Sequence, residues 1–234
     1  SMRNTIMTVV NCHDGVAHGE LDIYGILGMS CNGAFDTIAQ TLNSTKWQKL
    51  AEDFGYNQSD RSQVDFPYKK SHFDIASDDS VWSRMQLAIG QGTTTVTPLL
   101  NLMIYAAIAN DGVMMTPYLV DHYLDADGNV VEQTKPKALR SVCTKAEAEL
   151  MDEFLTYVIT NGTAAAGGSQ YARVSGKTGS AQYDSTKNYH AWFCGYGTND
   201  VSEIAVCVMI EKGGAGGIVA APVAGQIFDY YFSR

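Results

Sequence analysis

Hydrophobic and polar positions alternate with a helical period from about residue 19 to residue 170. Three stretches begin with a hydroxyl residue that can cap a helix and end at a glycine, at 45–55, 97–112 and 144–162. In the first stretch, Thr45 and Gln48 have the spacing of a capping box. The pattern therefore predicts a set of amphipathic helices in this part of the chain.

The spacing changes to that of strands in two places. Residues 118–123 and 129–133 flank a turn at 125–128 and predict a β-hairpin. Three strand-like runs follow later in the chain, at 171–183, 189–196 and 203–211. Their connections are too short for crossover helices, so we expect antiparallel neighbours.

The last segment, 220–232, predicts a closing helix whose Val223, Ile227 and Tyr231 are spaced to lie on the sheet. The order is helices, a hairpin, and then a small sheet with a helix on it. We therefore predict an α+β fold, in which a helical subdomain is joined to a small antiparallel sheet with a C-terminal helix packed on it.

Composition and charge narrow the possible functions. The 234 residues carry 16 Lys and Arg against 25 Asp and Glu, a formal net charge of −9. Such acidity argues against a nucleic-acid or anionic-membrane surface. The longest nearly unbroken apolar stretch, Leu99–Ala109, is too short to cross a bilayer. No apolar run follows Ser1-Met2-Arg3, so we expect no export signal within these residues.

The five cysteines are an odd number and contain no Cys-x-x-Cys pair, so neither a disulfide framework nor a structural zinc site is predicted. We expect small buried residues, with a bridge between Cys194 and Cys207 on neighbouring strands as the alternative. Four residues near the start are of the ligand-forming type: Cys12, His13, His18 and Glu20. No second cluster completes that ligand set, so we predict no metal and no cofactor.

The most informative segment for chemistry is Gly176-Lys-Thr-Gly-Ser-Ala-Gln182, on the first of the three strands. Lys177 supplies positive charge, and Gly179 leaves room for a substrate to approach the backbone. The hydroxyls of Thr178 and Ser180 can hold a carboxylate, and an N–H of an edge strand can point at an oxyanion. The segment suits an acyl-transfer site, although a short Lys-Thr-Gly is also typical of a solvated turn.

Ser30-Cys31-Asn32, just ahead of a helical stretch predicted at 34–42, is the second candidate. Taken alone, it is typical of a helix N-cap. It precedes Lys-Thr-Gly, however, in the order that penicillin-recognising enzymes have for their Ser-x-x-Lys, Ser-x-Asn-type and Lys-Thr-Gly motifs. The two motifs together therefore favour a shared site over two unrelated structural features.

Further segments of the sequence resemble segments of the transpeptidase domains of penicillin-binding proteins. They occur in the same order as in that family. The matching segments are Met29–Phe35, Ala88–Gly92, Thr97-Pro98, Tyr105–Asn110, Gly176–Gln182, Gly213–Gly217 and Ala220–Phe228. The spacing between Asn32 and Lys177 fits these transpeptidases better than the more compact β-lactamases. The resemblance implies that residues 1–234 form a partial transpeptidase domain. Residues 19–170 would be mainly helical with a hairpin near 118–133, and 171–234 would hold the strands and the closing helix.

The resemblance also implies a role for each matching residue. Ser30 would pass a proton between the nucleophile and the leaving amine, and Asn32 would hydrogen-bond the substrate's amide. Lys177 would stabilise the anionic site, as a third catalytic residue. The substrate-binding residues would be Thr178, Gly179, Ser180 and Gln182. Of these, Thr178 and Ser180 would bind the substrate carboxylate, and the Ser180 N–H would form half of the oxyanion hole.

The implied reaction cross-links D-Ala-D-Ala stem peptides through a serine acyl-enzyme, and the implied partners are the peptidoglycan stem peptide and β-lactams. Such a protein would lie outside the cytoplasm, held at the membrane by an anchor upstream of these residues. A D,D-carboxypeptidase or β-lactamase of the same superfamily stays open as an alternative. So does a β-lactam sensor or pseudo-enzyme that has kept the fold and lost the chemistry.

One motif of the family is missing from the sequence. No serine among the 234 residues has a lysine three positions later. We therefore expect a chain that begins after its nucleophile and is not acylated by itself. The strand at 203–211 would also have lost a neighbour, and its apolar edge would favour a homo-oligomer.

Overall fold

The computed structural model describes residues 12, 15, 17–58, 64–75, 78–184, 186 and 188–234. The helices in these ranges are α1 (Ile23–Gly28), α2 (Asn32–Thr41), α3 (Ser44–Asp53), α4 (Val81–Ala88), α5 (Pro98–Ala109), α6 (Lys145–Asn161) and α7 (Gly216–Phe232). The strands are β1 (Val113–Met115), β2 (His122–Leu124), β3 (Val130–Gln133), β4 (Ala138–Ser141), β5 (Arg173–Gln182), β6 (Tyr189–Thr198) and β7 (Glu203–Ile210). The predicted α+β class is confirmed. In the described ranges, no helix has the length and apolarity needed to span a membrane.

The largest sheet consists of β5, β6 and β7, antiparallel and in that order. Lys177 of β5 lies opposite Cys194 of β6, which in turn lies opposite Cys207 of β7. The three predicted strands are confirmed within one or two residues at their ends. Because β5 pairs only with β6 among the described residues, one side of the Lys-Thr-Gly backbone is left without a strand partner.

Helix α7 packs on one face of this sheet, but with a side other than the predicted one. Val223, Ile227 and Tyr231 are each 38–39% exposed. The buried residues of the helix are Gly216, Ala220, Ala221, Ala224, Gly225, Phe228 and Phe232. Small residues let the helix backbone approach the sheet, and the rings of Phe228 and Phe232 fill the remaining space. The predicted face was wrong because it was chosen from the bulkiest residues.

Helix α6 contacts β5 on the opposite face of the sheet. Asp152 of α6 accepts hydrogen bonds from Ser175 Oγ at 2.7 Å, Tyr196 OH at 2.6 Å and Arg173 Nη1 at 2.7 Å. One carboxylate thus joins the helix to two strands, and a hydrogen bond to a charged acceptor is worth about 1.5–3 kcal/mol. The hydroxyl cap predicted for this helix is confirmed on Thr144, which also forms a capping box with Glu147.

Helix α3 begins at a different cap from the one predicted. Asn43 is its N-cap, and the Asn43 side chain accepts from the backbone N–H of Lys46 at 3.0 Å. Gln48, expected to close a capping box with Thr45, instead accepts from the backbone N–H of Ile75 at 3.1 Å. An amide at the N-cap is as favourable as a hydroxyl, so the helix starts earlier than the pattern suggests.

Two small sheets complete the fold. Strands β2 and β3 pair antiparallel, which confirms the predicted hairpin near 118–133. Strands β1 and β4 form a second antiparallel pair, which the sequence did not predict. These strands are only three or four residues long, too short for a clear alternation of polar and apolar positions.

The cysteines in the structure are all free thiols. Cys194 is buried, as expected, and the other four are half-buried. The Sγ atoms of Cys194 and Cys207 are 3.2 Å apart across β6 and β7. They are therefore neighbours on adjacent strands without the disulfide bond that the sequence left as an alternative.

Candidate active site

Strand β5 directs Lys177 to the face of the sheet opposite α7, because side chains alternate along a strand. Lys177 Nζ donates to Ser30 Oγ and to the backbone carbonyl of Thr178, both at 2.9 Å. Burial lowers the pKa of Lys177 to about 8. The side chain is therefore mostly charged at neutral pH, yet it gives up its proton far more readily than a surface lysine.

Ser30 reaches Lys177 because of the tight turn between α1 and α2. Its φ of 52° lies in the left-handed region, which residues other than glycine seldom adopt. Met29 is the C-cap of α1 and Cys31 is the N-cap of α2, so Ser30 alone lies between the two caps. Ser30 is thus not a helix N-cap, and its hydroxyl accepts from Lys177. Asn32 follows as the first residue of α2.

The turn with Ser30 is held against the sheet by the end of α6. The backbone N–H of Thr163 donates to the carbonyl of Gly28 at 3.0 Å. A Cβ on Gly162 would lie 2.5 Å from that same carbonyl oxygen, so only glycine fits there. Gly28 has a similar constraint, since its Cβ would lie 2.9 Å from the ring of Tyr157. Two glycines that are far apart in the sequence thereby fix the position of the Ser30 turn relative to the end of α6.

Thr178 and Ser180 are the hydroxyl residues on either side of Gly179 in β5. Thr178 Oγ1 is hydrogen-bonded to Thr163 Oγ1 at 3.1 Å, and Ser180 Oγ accepts from the backbone N–H of Gly216 at 3.1 Å. A Cβ on Gly216 would clash with the carbonyl oxygen of Gly179. The N-terminus of α7 therefore approaches the strand closely, and each hydroxyl is oriented by a fixed partner.

Gly179 and Gln182 occupy the outer part of the same strand. A Cβ on Gly179 would meet only Trp192 Cβ, at an ordinary 3.4 Å, so this glycine leaves open space above the strand. Gln182 ends β5 beside Gln91. With its amide oriented to match, Gln91 donates to the Gln182 carbonyl at 3.2 Å and accepts from its N–H at 3.1 Å. A side-chain amide thus takes the place of a neighbouring strand.

The arrangement brings a hydroxyl, an ammonium group and an edge strand together. The Lys177 ammonium can stabilise negative charge on Ser30 Oγ while that oxygen exchanges a proton, and it can attract an anionic ligand. The Thr178 and Ser180 hydroxyls add neutral donors that suit a carboxylate. These are the parts of a site for a small acidic acyl donor.

Several residues that build this site were not found from the sequence. Gly28, Gly162 and Thr163 lie outside the two motifs, and the pair Asn161-Gly162 marked only the end of a helix. Gln91 stood within a matching segment but without a role. Their contacts with the motifs bridge large sequence separations, so no local pattern points to them.

The group of metal-type ligands near Ser30 also differs from the expected one. In the described part of the chain, ligand atoms of Cys12, His18 and Cys31 all lie within 4.8 Å of one another. The sequence placed Cys12 and His18 with His13 and Glu20, and His13 lies outside the described residues. The folded chain supplies Cys31 instead, from the turn that carries Ser30.

Comparison with known proteins gives a consistent result. The family model described as "Penicillin binding protein transpeptidase domain" matches residues 4–229. The chain is 29% identical over 203 residues to the peptidoglycan D,D-transpeptidase PbpA of Mycolicibacterium smegmatis. It is 28% identical over 237 residues to the peptidoglycan D,D-transpeptidase MrdA of Acinetobacter baumannii. These alignments cover 83% and 92% of this chain but only 40% and 35% of the relatives, so it spans well under half their length.

Solved structures agree with this result. The D,D-transpeptidase domain of a peptidoglycan glycosyltransferase from Eggerthella lenta superposes with a TM-score of 0.83 at 27% identity, over 92% of this chain and 54% of that one. Penicillin-binding protein 3 from Mycobacterium tuberculosis, complexed with ampicillin, gives 0.77 at 25% identity, over 91% and 50%. The family match covers nearly the whole sequence and the motifs meet in one site. The chain therefore belongs to the family of penicillin-binding protein transpeptidase domains.

Proposed function

We propose that this chain forms the Lys-Thr-Gly side of a peptidoglycan D,D-transpeptidase site. The hydrogen bond from Lys177 Nζ to Ser30 Oγ carries the proposal, because it joins two motifs 147 residues apart in the sequence. Two relatives that are D,D-transpeptidases by name support this reaction class. The substrate is a stem peptide ending in D-Ala-D-Ala. A β-lactam binds in the same place, which the ampicillin complex of a structural neighbour supports.

In this proposal the strand β5 binds the substrate's end. The hydroxyls of Thr178 and Ser180 hold the terminal carboxylate, and the Lys177 ammonium adds a nearby positive charge. Asn32 hydrogen-bonds the substrate's amide, and the Ser180 N–H forms half of the oxyanion hole. Gly179 keeps the strand open to the substrate, and Gln182 extends the binding strand.

The reaction proceeds through a serine ester. The serine oxygen attacks the carbonyl of the penultimate D-Ala, and the C–N bond to the terminal D-Ala breaks. Ser30 relays the serine proton to the leaving amine, with Lys177 stabilising the charge on its oxygen. The amine of a neighbouring stem peptide then attacks the ester, which forms the cross-link and returns the proton to the serine.

The attacking serine is not among these residues. No serine of the sequence has the Ser-x-x-Lys spacing of the family's nucleophile. We therefore propose that the 234 residues bind the donor but are not acylated by themselves. The active protein would act outside the cytoplasm, anchored to the membrane.

Intact mass after incubation with ampicillin tests this proposal. Penicillin-binding protein 3 of M. tuberculosis serves as the positive control, and circular dichroism shows whether the chain is folded. We expect no mass increase on folded protein. An adduct that survives denaturation would contradict the account, and its loss in Ser30→Ala would identify Ser30 as the nucleophile.

The acceptor of the acyl group distinguishes the alternative reactions. A D,D-carboxypeptidase or β-lactamase transfers the acyl group to water, and a transpeptidase transfers it to an amine. The names of the relatives favour the amine. A pseudo-enzyme or β-lactam sensor would instead lack transfer to either acceptor, even in a longer protein that contains Ser-x-x-Lys.

A further inference from the structure

A second group of reactive side chains lies directly beside Ser30. Cys31 Sγ is 3.6 Å from Cys12 Sγ, and the ring of His18 completes a group whose ligand atoms lie within 4.8 Å of one another. His18 Nδ1 is buried and has no hydrogen-bond partner in the structure. A buried ring nitrogen without a partner is unusual in a native protein and calls for an explanation. The proposed acyl transfer uses none of these three side chains.

The distances suit a tetrahedral metal ion. Two thiolates bound to zinc at about 2.3 Å lie about 3.8 Å apart when the angle is tetrahedral. The observed separation of 3.6 Å is close to this value, and it is far longer than the roughly 2.05 Å of a disulfide. The side chains thus have the spacing of ligands around a common centre.

We propose that Cys12, His18 and Cys31 bind one Zn²⁺ ion, with a fourth position left for water or another ligand. Two sulfurs and one imidazole nitrogen are the donors that zinc prefers. Binding releases the protons of the two thiols, and the two thiolates balance the charge of the ion. The site therefore adds no net positive charge beside Lys177.

The bound ion acts on the neighbouring turn. Cys31 directly follows Ser30, which holds the left-handed φ of 52°. A ligand fixed at Cys31 ties this turn to Cys12 and His18, on the segment before α1. Zinc thus stabilises the conformation in which Ser30 Oγ meets Lys177, as a structural ion next to the site.

Zinc binding to the whole 234-residue chain tests the proposal. The reduced, chelator-stripped protein is titrated with Zn²⁺ alone by isothermal titration calorimetry, and we expect one ion per chain. His18→Ala and Cys31→Ser should each weaken binding by roughly tenfold or more, since even changes outside the ligand set cost about that much. Cys143→Ser is the matched control, because Cys143 is also half-buried and lies outside the group; it should bind like the unchanged chain.

Cobalt gives a spectroscopic readout that can be measured on the unchanged chain. Co²⁺ bound by the unchanged chain should show thiolate-to-metal charge-transfer absorption, and Cys12→Ser should lose one of the two thiolate contributions. Failure of the folded, reduced chain to bind zinc would overturn the proposal, as would unchanged binding in the Cys12→Ser, Cys31→Ser double variant. The test measures metal binding and not acylation, so its outcome is independent of the proposed transpeptidase role.

Discussion

Two opposing effects set the pKa of the Lys177 ammonium group. Burial removes water from the charge and lowers the pKa to about 8. The hydrogen bonds to Ser30 Oγ and the Thr178 carbonyl act in the other direction, because both acceptors favour the charged form. A lysine in this balance can hold an anionic ligand at neutral pH and still take part in proton exchange.

Titration of Lys177 measures this balance directly. We expect its Nζ to titrate near pH 8 by NMR of labelled lysine, with the signal assigned from Lys177→Met. Ser30→Ala removes an acceptor that favours the charged form, so the pKa should fall further, by about one unit. Because the folded pKa lies below the ordinary 10.5, the folded state binds fewer protons between these values. The free energy of unfolding should therefore rise with pH over that window.

Lys145 is the internal control for that titration. It is exposed and paired with Asp111 at 2.9 Å, which raises its pKa above the ordinary value. A Lys177 signal that titrates together with Lys145 would show that Lys177 is not buried against Ser30.

At the scale of the elements, the site depends on how closely α6 and the α1–α2 turn approach each other. Gly162 follows the last residue of α6, and the Thr163 N–H binds the Gly28 carbonyl just before Ser30. This contact places Ser30, and the Asp152 network places β5 and hence Lys177. Helix α6 is thus the common support of both motifs.

Gly162→Ala tests this support. The added Cβ would lie 2.5 Å from the Gly28 carbonyl oxygen, so the turn has to move. We expect a loss of about 1–3 kcal/mol in urea unfolding, typical of overpacking. Gly33→Ala is the control, because nothing lies within 4 Å of its Cβ and the residue is helical. It should be neutral or stabilise by up to about 1 kcal/mol, and equal losses in the two variants would contradict this account.

The start of α3 gives a second test at this scale. Asn43→Ala removes the observed cap and should lower the free energy of unfolding by about 1 kcal/mol. Thr45→Ala, at the position that the sequence pattern favoured, should change it by less than about 0.5 kcal/mol. Chemical denaturation of the two variants side by side decides between them, and a larger loss in Thr45→Ala would restore the predicted capping box.

At the scale of the whole molecule, the three-stranded sheet has an edge at β7. Within the described residues, β7 pairs only with β6. Its Ile204, Val208 and Ile210 are half-buried against the cluster beneath α7. An apolar strand with one side of its backbone unpaired can add a strand from another chain.

We therefore keep the prediction that this chain self-associates through β7. Sedimentation velocity at micromolar concentration and above should show a species that grows with concentration. Ile204→Lys places a charge on the edge strand and should reduce association. Ile218→Lys is the control, since Ile218 is 76% exposed and belongs to helix α7 and not to the edge strand. A monomer at all concentrations would refute the prediction.

The sequence by itself determined the order of the elements and the chemistry of the two motifs. Helical and strand spacing, capping residues and short turns are local properties, so they predicted the hairpin, the three strands and most of the helices. The motif order identified the family, because residue type and spacing are what a family keeps. The proposed zinc ligands show how far local patterns reach. Cys12 and His18 stand close together in the sequence and were grouped there, whereas Cys31 joins them only in the folded chain.

Only the tertiary structure decided which distant residues meet. It selected the small-residue face of α7 over the bulky one, because the closest packing on a sheet depends on the sheet's own side chains. It brought Ser30 to Lys177 and Cys31 to Cys12, and it required glycine where the backbones at 28 and 162 nearly touch. These contacts depend on how whole helices and strands pack together. Patterns among residues that are close in the sequence do not predict that packing.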